Sequence, residues 1–161
     1  EMEKMLNEYL QFASSGSLEK TETFNLSDLL EITVKKYEKK EIVTDIQEKI
    51  YIDARKNLIQ RCINNLIDNS IKYGKNIFLS LKKSTNNIII IIDDDGPGIP
   101  ESEKENVFKP FYKISKSRGD SKSSVGLGLS IASDIIKSHG GNIKLETSPS
   151  NGLRAKVILP F

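Results

Sequence analysis

Residues 88–100 read IIIIIDDDGPGIP, and no other stretch of the chain restricts its fold as strongly. Five consecutive isoleucines are β-branched and show no polar alternation, which predicts a strand covered on both faces. Three aspartates follow at once. Carboxylates at the mouth of a buried strand are costly to desolvate unless something pairs with them. Gly96 allows a sharp turn and a close approach of the backbone to a ligand. Asp95, set against Gly96, is therefore expected to offer a hydrogen-bond acceptor to an exocyclic amine; the alternative is a plain acidic turn. A calcium loop starting at Asp93 is excluded, because Pro97 stands where a ligand is needed and no suitable glutamate closes the loop.

The 161 residues suffice for one domain with a proper core and are too few for two comfortable ones. A net charge of +2 gives no argument for nucleic acid or an acidic membrane surface. The longest apolar run, Ile88 to Ile92, is far short of a membrane span. A single cysteine, Cys62, and a single histidine, His139, exclude a disulfide framework and a Cys/His zinc site, and fit a reducing compartment. Cys62 falls on an apolar helical stripe and reads as core. His139 reads as a structural residue at a helix C-terminus, where a positive charge suits the dipole.

The opening EMEKMLNEYLQFA places Met2, Met5, Leu6, Tyr9, Leu10 and Ala13 on one helical stripe. Residues 1–14 are read as the tail of a helix from a preceding unit, the alternative being that this helix packs on the domain, 15–24 as a linker and 25–161 as the domain proper. Asn25 is expected to cap a helix carrying Leu26, Leu29, Leu30, Val34 and Tyr37. Short strands are expected at 42–47 and 50–52. Asp53 is expected to cap a longer helix, about Ala54 to Tyr73, with Leu58, Ile59, Cys62, Ile63, Leu66, Ile67 and Ser70 inward. Strands about 76–83 and 87–93 follow, then a loop to about Ser124, a helix about 125–138 stopped by Gly140-Gly141, and strands at 142–147 and 153–159. Strands clustered in hairpin pairs imply an α+β fold, with helices on one face of a mixed, mostly antiparallel sheet.

Within NNLIDNSIKYG, Asn65, Asn69 and Lys72 are spaced i, i+4, i+7 and share one helical arc beside the apolar stripe. Two amides offer neutral oxygens to a hard cation, and one ammonium can meet a phosphate. The plain alternative is a solvated helix shoulder. SVGLGLS at 124–130 leads into a helix, so Gly126 and Gly128 leave N–H groups where an anion is favoured, or simply allow close packing. It has neither the Lys-Ser/Thr of a P-loop nor dinucleotide-fingerprint spacing. In VFKPFYKISKSRGDSKSS, Phe108, Phe111 and Tyr112 form an aromatic anchor ahead of a basic, Gly/Ser-rich segment that a polyphosphate could order.

Together and in this order the motifs resemble one family, the ATP-binding catalytic domain of sensor histidine kinases, over about residues 25–161. NNLIDNSIKYG is similar to its N box, DDDGPGIP to its G1 box, VFKPFYK to its F box and SVGLGLS to its G2 box. The closing NGLRAKVILPF and the N-terminal helix tail look most like the osmosensing, porin-regulating type. The resemblance implies a two-layer α/β sandwich binding ATP and Mg²⁺. It implies Asn69 on Mg²⁺ with Asn65 in support, Lys72 on the phosphates and Tyr73 bordering adenine. Asp95 would accept from the adenine amine, with Gly98 and Ile99 lining the base. Phe111 and Tyr112 lie in the F box, and Lys113 stands at the γ-phosphate where many relatives have Arg. Gly126 and Gly128 would hold the triphosphate with Leu127 and Leu129 beside it; Ser124 replaces a glycine usual in the family. Related ATPases of this fold place a glutamate where Asn65 stands, so hydrolysis by this chain is expected to be poor.

The activity implied is donation of the γ-phosphate to a histidine on a helical phosphoacceptor and dimerisation domain of the same parent protein, with a response regulator downstream. No nucleic acid or direct membrane contact is expected, and the parent is implied to sit in the cytoplasmic membrane with this part in the cytoplasm. A regulatory nucleotide-binding module without kinase activity and an anti-sigma-type serine kinase are the alternatives.

Overall fold

The computed structural model describes residues 3, 6, 7, 10, 19–38, 40–112 and 127–161. Residues 113–126, including Lys113, Ser124 and Gly126, and most of residues 1–18 lie outside the described residues. The elements are β1 (Glu22–Asn25), α1 (Leu26–Lys35), β2 (Ile42–Ile46), β3 (Tyr51–Ala54), α2 (Lys56–Tyr73), β4 (Ile77–Lys83), β5 (Asn87–Asp94), two 3₁₀ turns (Glu101–Glu103 and Asn106–Phe108), α3 (Gly128–Ser138), β6 (Asn142–Thr147) and β7 (Leu153–Pro160). The main sheet runs β2-β4-β5-β7-β6. Its β2–β4 pair is parallel and its other neighbours are antiparallel. α2 packs on β5, α3 on β6 and β7, and α1 on β2 and β3. This is the mixed sheet with helices on one face that the motif order implies.

The isoleucine run is central but not covered on both faces. Ile88, Ile90 and Ile92 are fully buried toward the helices, whereas Ile89 and Ile91 are partly exposed. Register explains how isoleucine is tolerated there. Ile89 lies opposite Lys82 and Ile158, and Ile91 opposite Lys156, so aliphatic lysine stems can screen the outer face while their ammonium groups stay in water.

The inward stripe of α2 is the expected one, Leu58, Ile59, Cys62, Ile63, Leu66, Ile67 and Ser70. It joins Phe24, Leu26, Leu29, Leu30, Ile50 and Ile52 in one core with the inward sheet residues. Burial pushes the Cys62 thiol pKa up, as suits a packing residue. Asn25 caps α1, its side chain accepting from the Asp28 N–H at 3.0 Å. Asn25→Ala is expected to cost about 1 kcal/mol, read as a lower denaturation midpoint at unchanged slope.

Three expectations need correction. Asp53 does not cap α2; it lies in β3 and accepts from the Thr23 hydroxyl. The α2 N-terminus is instead capped from far away, by Glu19, whose oxygens accept from the Asn57 N–H at 2.7 Å and the Leu58 N–H at 3.2 Å. Part of the stretch expected to be linker is strand: β1 pairs antiparallel with β3, Phe24 opposite Ile52. His139 is structural but not a cation at a helix end. Its Nε2 accepts from the Arg55 N–H at 3.1 Å, which assigns the proton to Nδ1, 2.7 Å from the Ile135 carbonyl. Burial first, and the nearby Arg55 charge second, push its pKa down, only partly countered by the Ile135 carbonyl and Glu19.

Candidate functional site

Three elements converge at one end of the sheet: the C-terminal half of α2, the loop after β5 and the start of α3. On α2, Asn65, Asn69 and Lys72 are half-buried and Tyr73 is exposed, and Lys72 Nζ sits 5.1 Å from the Tyr73 ring centroid. Asn65 Nδ2 donates to the Gly128 carbonyl at 3.3 Å. The first asparagine of the α2 motif thus meets the glycine motif of α3. A Cβ on Gly128 would touch no described atom within 4 Å, so close packing does not require that glycine.

The aspartates divide their work by direction. Along a strand successive side chains alternate faces, so Asp94 shares the helix-covered side with Ile88, Ile90 and Ile92, and Asp93 takes the other. Asp93 is held bidentately by Arg154, at 2.8 Å from Nε and 2.9 Å from Nη2. Asp95 leaves the ladder and closes the turn after α2. Its Oδ1 accepts from the Lys75 N–H at 2.8 Å and the Asn76 N–H at 3.1 Å, and its Oδ2 from Asn76 Nδ2 at 2.7 Å. These bonds, those of Asn76 first, hold the Asp95 pKa down at about 2. The residue expected to meet an amine therefore has both oxygens engaged by its own turn.

Asp94 is the most deeply buried of the three carboxylates, 3% exposed against 7% for Asp93. Its Oδ1 accepts from the Gly96 N–H at 2.9 Å and the Leu153 N–H at 3.1 Å. Its Oδ2 takes no hydrogen bond among the described residues, yet it is not among the sealed, unsatisfied atoms. Burial raises the Asp94 pKa, the two N–H groups oppose that rise, and the charges of Asp95 and Asp93 add to it. Glycines surround it: a Cβ on Gly74 would lie 2.9 Å from Asp94 Cβ, and one on Gly152 2.2 Å from the Asp94 carbonyl oxygen. From the sequence no ligand role is expected for Asp94; the two-residue alternation of the strand is the signal that sets it on the helix-covered face.

The remaining expected residues are only partly gathered here. Gly98 has a φ of 74°, which favours glycine, and faces the Asn151 and Gly152 carbonyls. Ile99 is half-buried. Phe111 is exposed at a φ of 65°, and the Tyr112 hydroxyl donates to Glu103. Leu127 buries its side chain in the core, and Leu129 packs against that core from its edge, so at Leu127 only the backbone is available to a ligand. Among the described residues no group of three or more His, Cys, Asp or Glu could hold a metal ion.

The histidine kinase-, DNA gyrase B- and HSP90-like ATPase family model matches residues 54–161. Sensor histidine kinase GtrS of Pseudomonas aeruginosa is 42% identical over 102 residues, 63% of this chain and 21% of that protein. Sensor histidine kinase CpxA of Escherichia coli is 34% identical over 106 residues, 65% of this chain and 23% of that protein. The chain thus spans about a fifth to a quarter of the length of these curated relatives. The ATP binding domain of PrrB from Mycobacterium tuberculosis superposes with a TM-score of 0.70 at 26% identity, over 88% of this chain and 97% of that one. With the matched segment spanning both asparagines of α2, the three aspartates and the start of α3, this chain belongs to the histidine kinase-, DNA gyrase B- and HSP90-like ATPase family.

Proposed function

We propose that this chain is the ATP-binding, phosphate-donating part of a two-component sensor histidine kinase. The observation that carries the reading is Asp94, a buried carboxylate with one oxygen pinned by two N–H groups and the other left to accept. Such an oxygen suits the 6-amino group of adenine and opposes the 6-oxo group of guanine or hypoxanthine. We assign adenine recognition to Asp94 in place of Asp95, with Gly98, Ile99 and Tyr73 around the base. Phe111, Tyr112, Lys113, Gly126, Gly128 and Leu129 keep the roles implied by their motifs.

The donor set of α2 fits Mg²⁺. Mg²⁺ prefers oxygen, keeps several waters, and is commonly held by substrate phosphates with one or two protein ligands. Asn69, supported by Asn65, would hold it, and Lys72 would meet the phosphates. When bound, the ion supplies neutralisation of charge on the phosphate oxygens. An amide at Asn65 cannot take a proton from water, so hydrolysis is disfavoured. The nucleophile has to be external, because His139 has both ring nitrogens engaged. In the transfer, an imidazole nitrogen bonds to the γ-phosphorus, the bridging P–O bond breaks, and ADP leaves.

We assign residues 1–14 to the end of a phosphoacceptor and dimerisation helix and 25–161 to the catalytic domain. The described Leu6 and Leu10 are helical and exposed, as suits a helix that packs elsewhere. Among the described residues no helix is long and apolar enough to cross a membrane. The resemblance to sensor histidine kinases implies a membrane-bound parent with this part in the cytoplasm and a response regulator downstream. The osmosensing, porin-regulating subtype rests on the closing NGLRAKVILPF and the N-terminal helix tail.

Phosphate transfer in trans tests the proposal. The chain is mixed with γ-labelled Mg-ATP and a separate helical hairpin carrying the acceptor histidine. Acid-labile label on the hairpin, lost with Asn69→Ala, is the expected result. ATP binding without transfer, on an acceptor that an active relative phosphorylates, would make the chain a regulatory nucleotide-binding module.

A further inference from the structure

We infer that the SPSNG hairpin between β6 and β7 belongs to the base-selecting machinery, with Ser148 the residue that positions Asp94. The inference rests on the assignment of adenine recognition to Asp94. From the sequence, residues 148–152 are only a turn. In the structure Ser148 is 4% exposed and its hydroxyl is used twice. It donates to the Asp94 carbonyl at 2.7 Å and accepts from the Gly152 N–H at 2.9 Å.

The β5–β7 ladder explains why these bonds are not mere sheet pairing. Its register ends at Asp93 opposite Arg154. One residue further, the Leu153 N–H turns to the Asp94 carboxylate at 3.1 Å, while the Asp94 carbonyl is taken by the Ser148 hydroxyl. The hairpin therefore holds both the peptide and the side-chain rotation of Asp94, and nothing in strand register alone demands that. Gly152 lies flush against the same carbonyl. The hairpin is also closed on itself, by the Asn151 N–H to the Ser148 carbonyl at 2.9 Å and the Ser148 N–H to the Gly152 carbonyl at 3.0 Å. It can thus act as a rigid stop behind the carboxylate.

Removing the hydroxyl leaves the Asp94 carbonyl and the Gly152 N–H without their partner in a buried place. The relief is a shift of the hairpin and a reorientation of Asp94, which weakens 6-amino recognition specifically. Binding of ATP and of inosine triphosphate, which differs at the 6-position, reads this out by calorimetry in Ser148→Ala, Ser148→Thr and Ser148→Cys. For Ser148→Ala, ATP affinity is expected to fall on the order of tenfold. Inosine triphosphate affinity should stay nearly constant, and Ser148→Thr should restore most of the ATP preference. Should the alanine variant fail to fold, Ser148→Cys, with a similar volume and a weak donor, reads the same ratio. An equal loss for both nucleotides, or an unchanged ATP preference, overturns the role of Ser148. Asp94→Asn separates the two failures. If it abolishes the ATP preference while the Ser148 variants keep it, only this inference falls. If Asp94→Asn keeps the preference, the assignment of Asp94 falls with it.

Discussion

Asp94→Asn is expected to lose ATP affinity by about ten- to a hundredfold while folding at least as stably as the parent at neutral pH. An asparagine keeps an acceptor for the Gly96 and Leu153 N–H groups. It replaces the remaining oxygen with an NH₂ that faces the adenine amine donor to donor. Stability moves the other way. Burial raises the Asp94 pKa in the folded chain, so the protonated form is favoured by folding. That contribution is full below the ordinary carboxylate pKa and is lost as pH rises through the raised value. At neutral pH the parent carries a buried charge that the amide removes. Calorimetric titration and chemical denaturation measure the two effects. ATP affinity of the parent should also fall on acidification, beginning above the ordinary carboxylate range, and the variant should show no such dependence. A variant that binds ATP like the parent would end the assignment. Asp95→Asn is the control. Its carboxylate, held down at about 2, contributes stability above the ordinary pKa that is lost as pH falls toward that value; the variant should lose stability and keep its preference for adenine.

Gly152→Ala is expected to destabilise the fold by about 2 to 3 kcal/mol, lowering the melting temperature by roughly 5 to 10 °C. The new Cβ would meet the Asp94 carbonyl oxygen at 2.2 Å, the carbonyl carbon at 2.8 Å and Oδ1 at 2.7 Å. Two of these are backbone atoms, so no flexible side chain can swing aside. The hairpin has to retreat, and the Ser148 and Leu153 bonds to Asp94 stretch with it. Loss of adenine preference should accompany the loss of stability, read in the same titrations. A melting temperature within a degree or two of the parent would show that the hairpin moves freely.

What could be read from the sequence followed locality. The inward stripe of α2 was legible residue by residue, because a 3.6-residue period declares itself within one segment. The cap at Asn25 was legible for the same reason. β1 was not: TETFN is short and polar, and it becomes a strand only by pairing with Tyr51–Ala54. Asp53 looked like a cap beside α2, but Glu19 reaches that helix from 38 positions away. Asp95 is read as the acceptor because Gly96 adjoins it, whereas the strand runs one residue further than expected and so carries Asp94 to the helix-covered face. The tautomer of His139 is set by the Arg55 N–H, 84 positions distant. No local pattern announces such a partner. Four motifs in order gave the family, because each is contiguous.

The stretch that identifies the family begins at residue 54, yet much of one wall of the core lies before it. Phe24, Leu26, Leu29, Leu30, Ile50 and Ile52 belong to the same cluster as the α2 stripe, and Glu19 covers the first N–H groups of that helix. The signature is therefore narrower than the folding unit. A gene fragment trimmed to the recognisable residues would encode every aspartate and α2 asparagine of the site and strip the apolar cover from the helix that presents those asparagines. In a catalogue of fragments cut at family boundaries, such a piece would be scored as insoluble for want of residues that carry no motif at all.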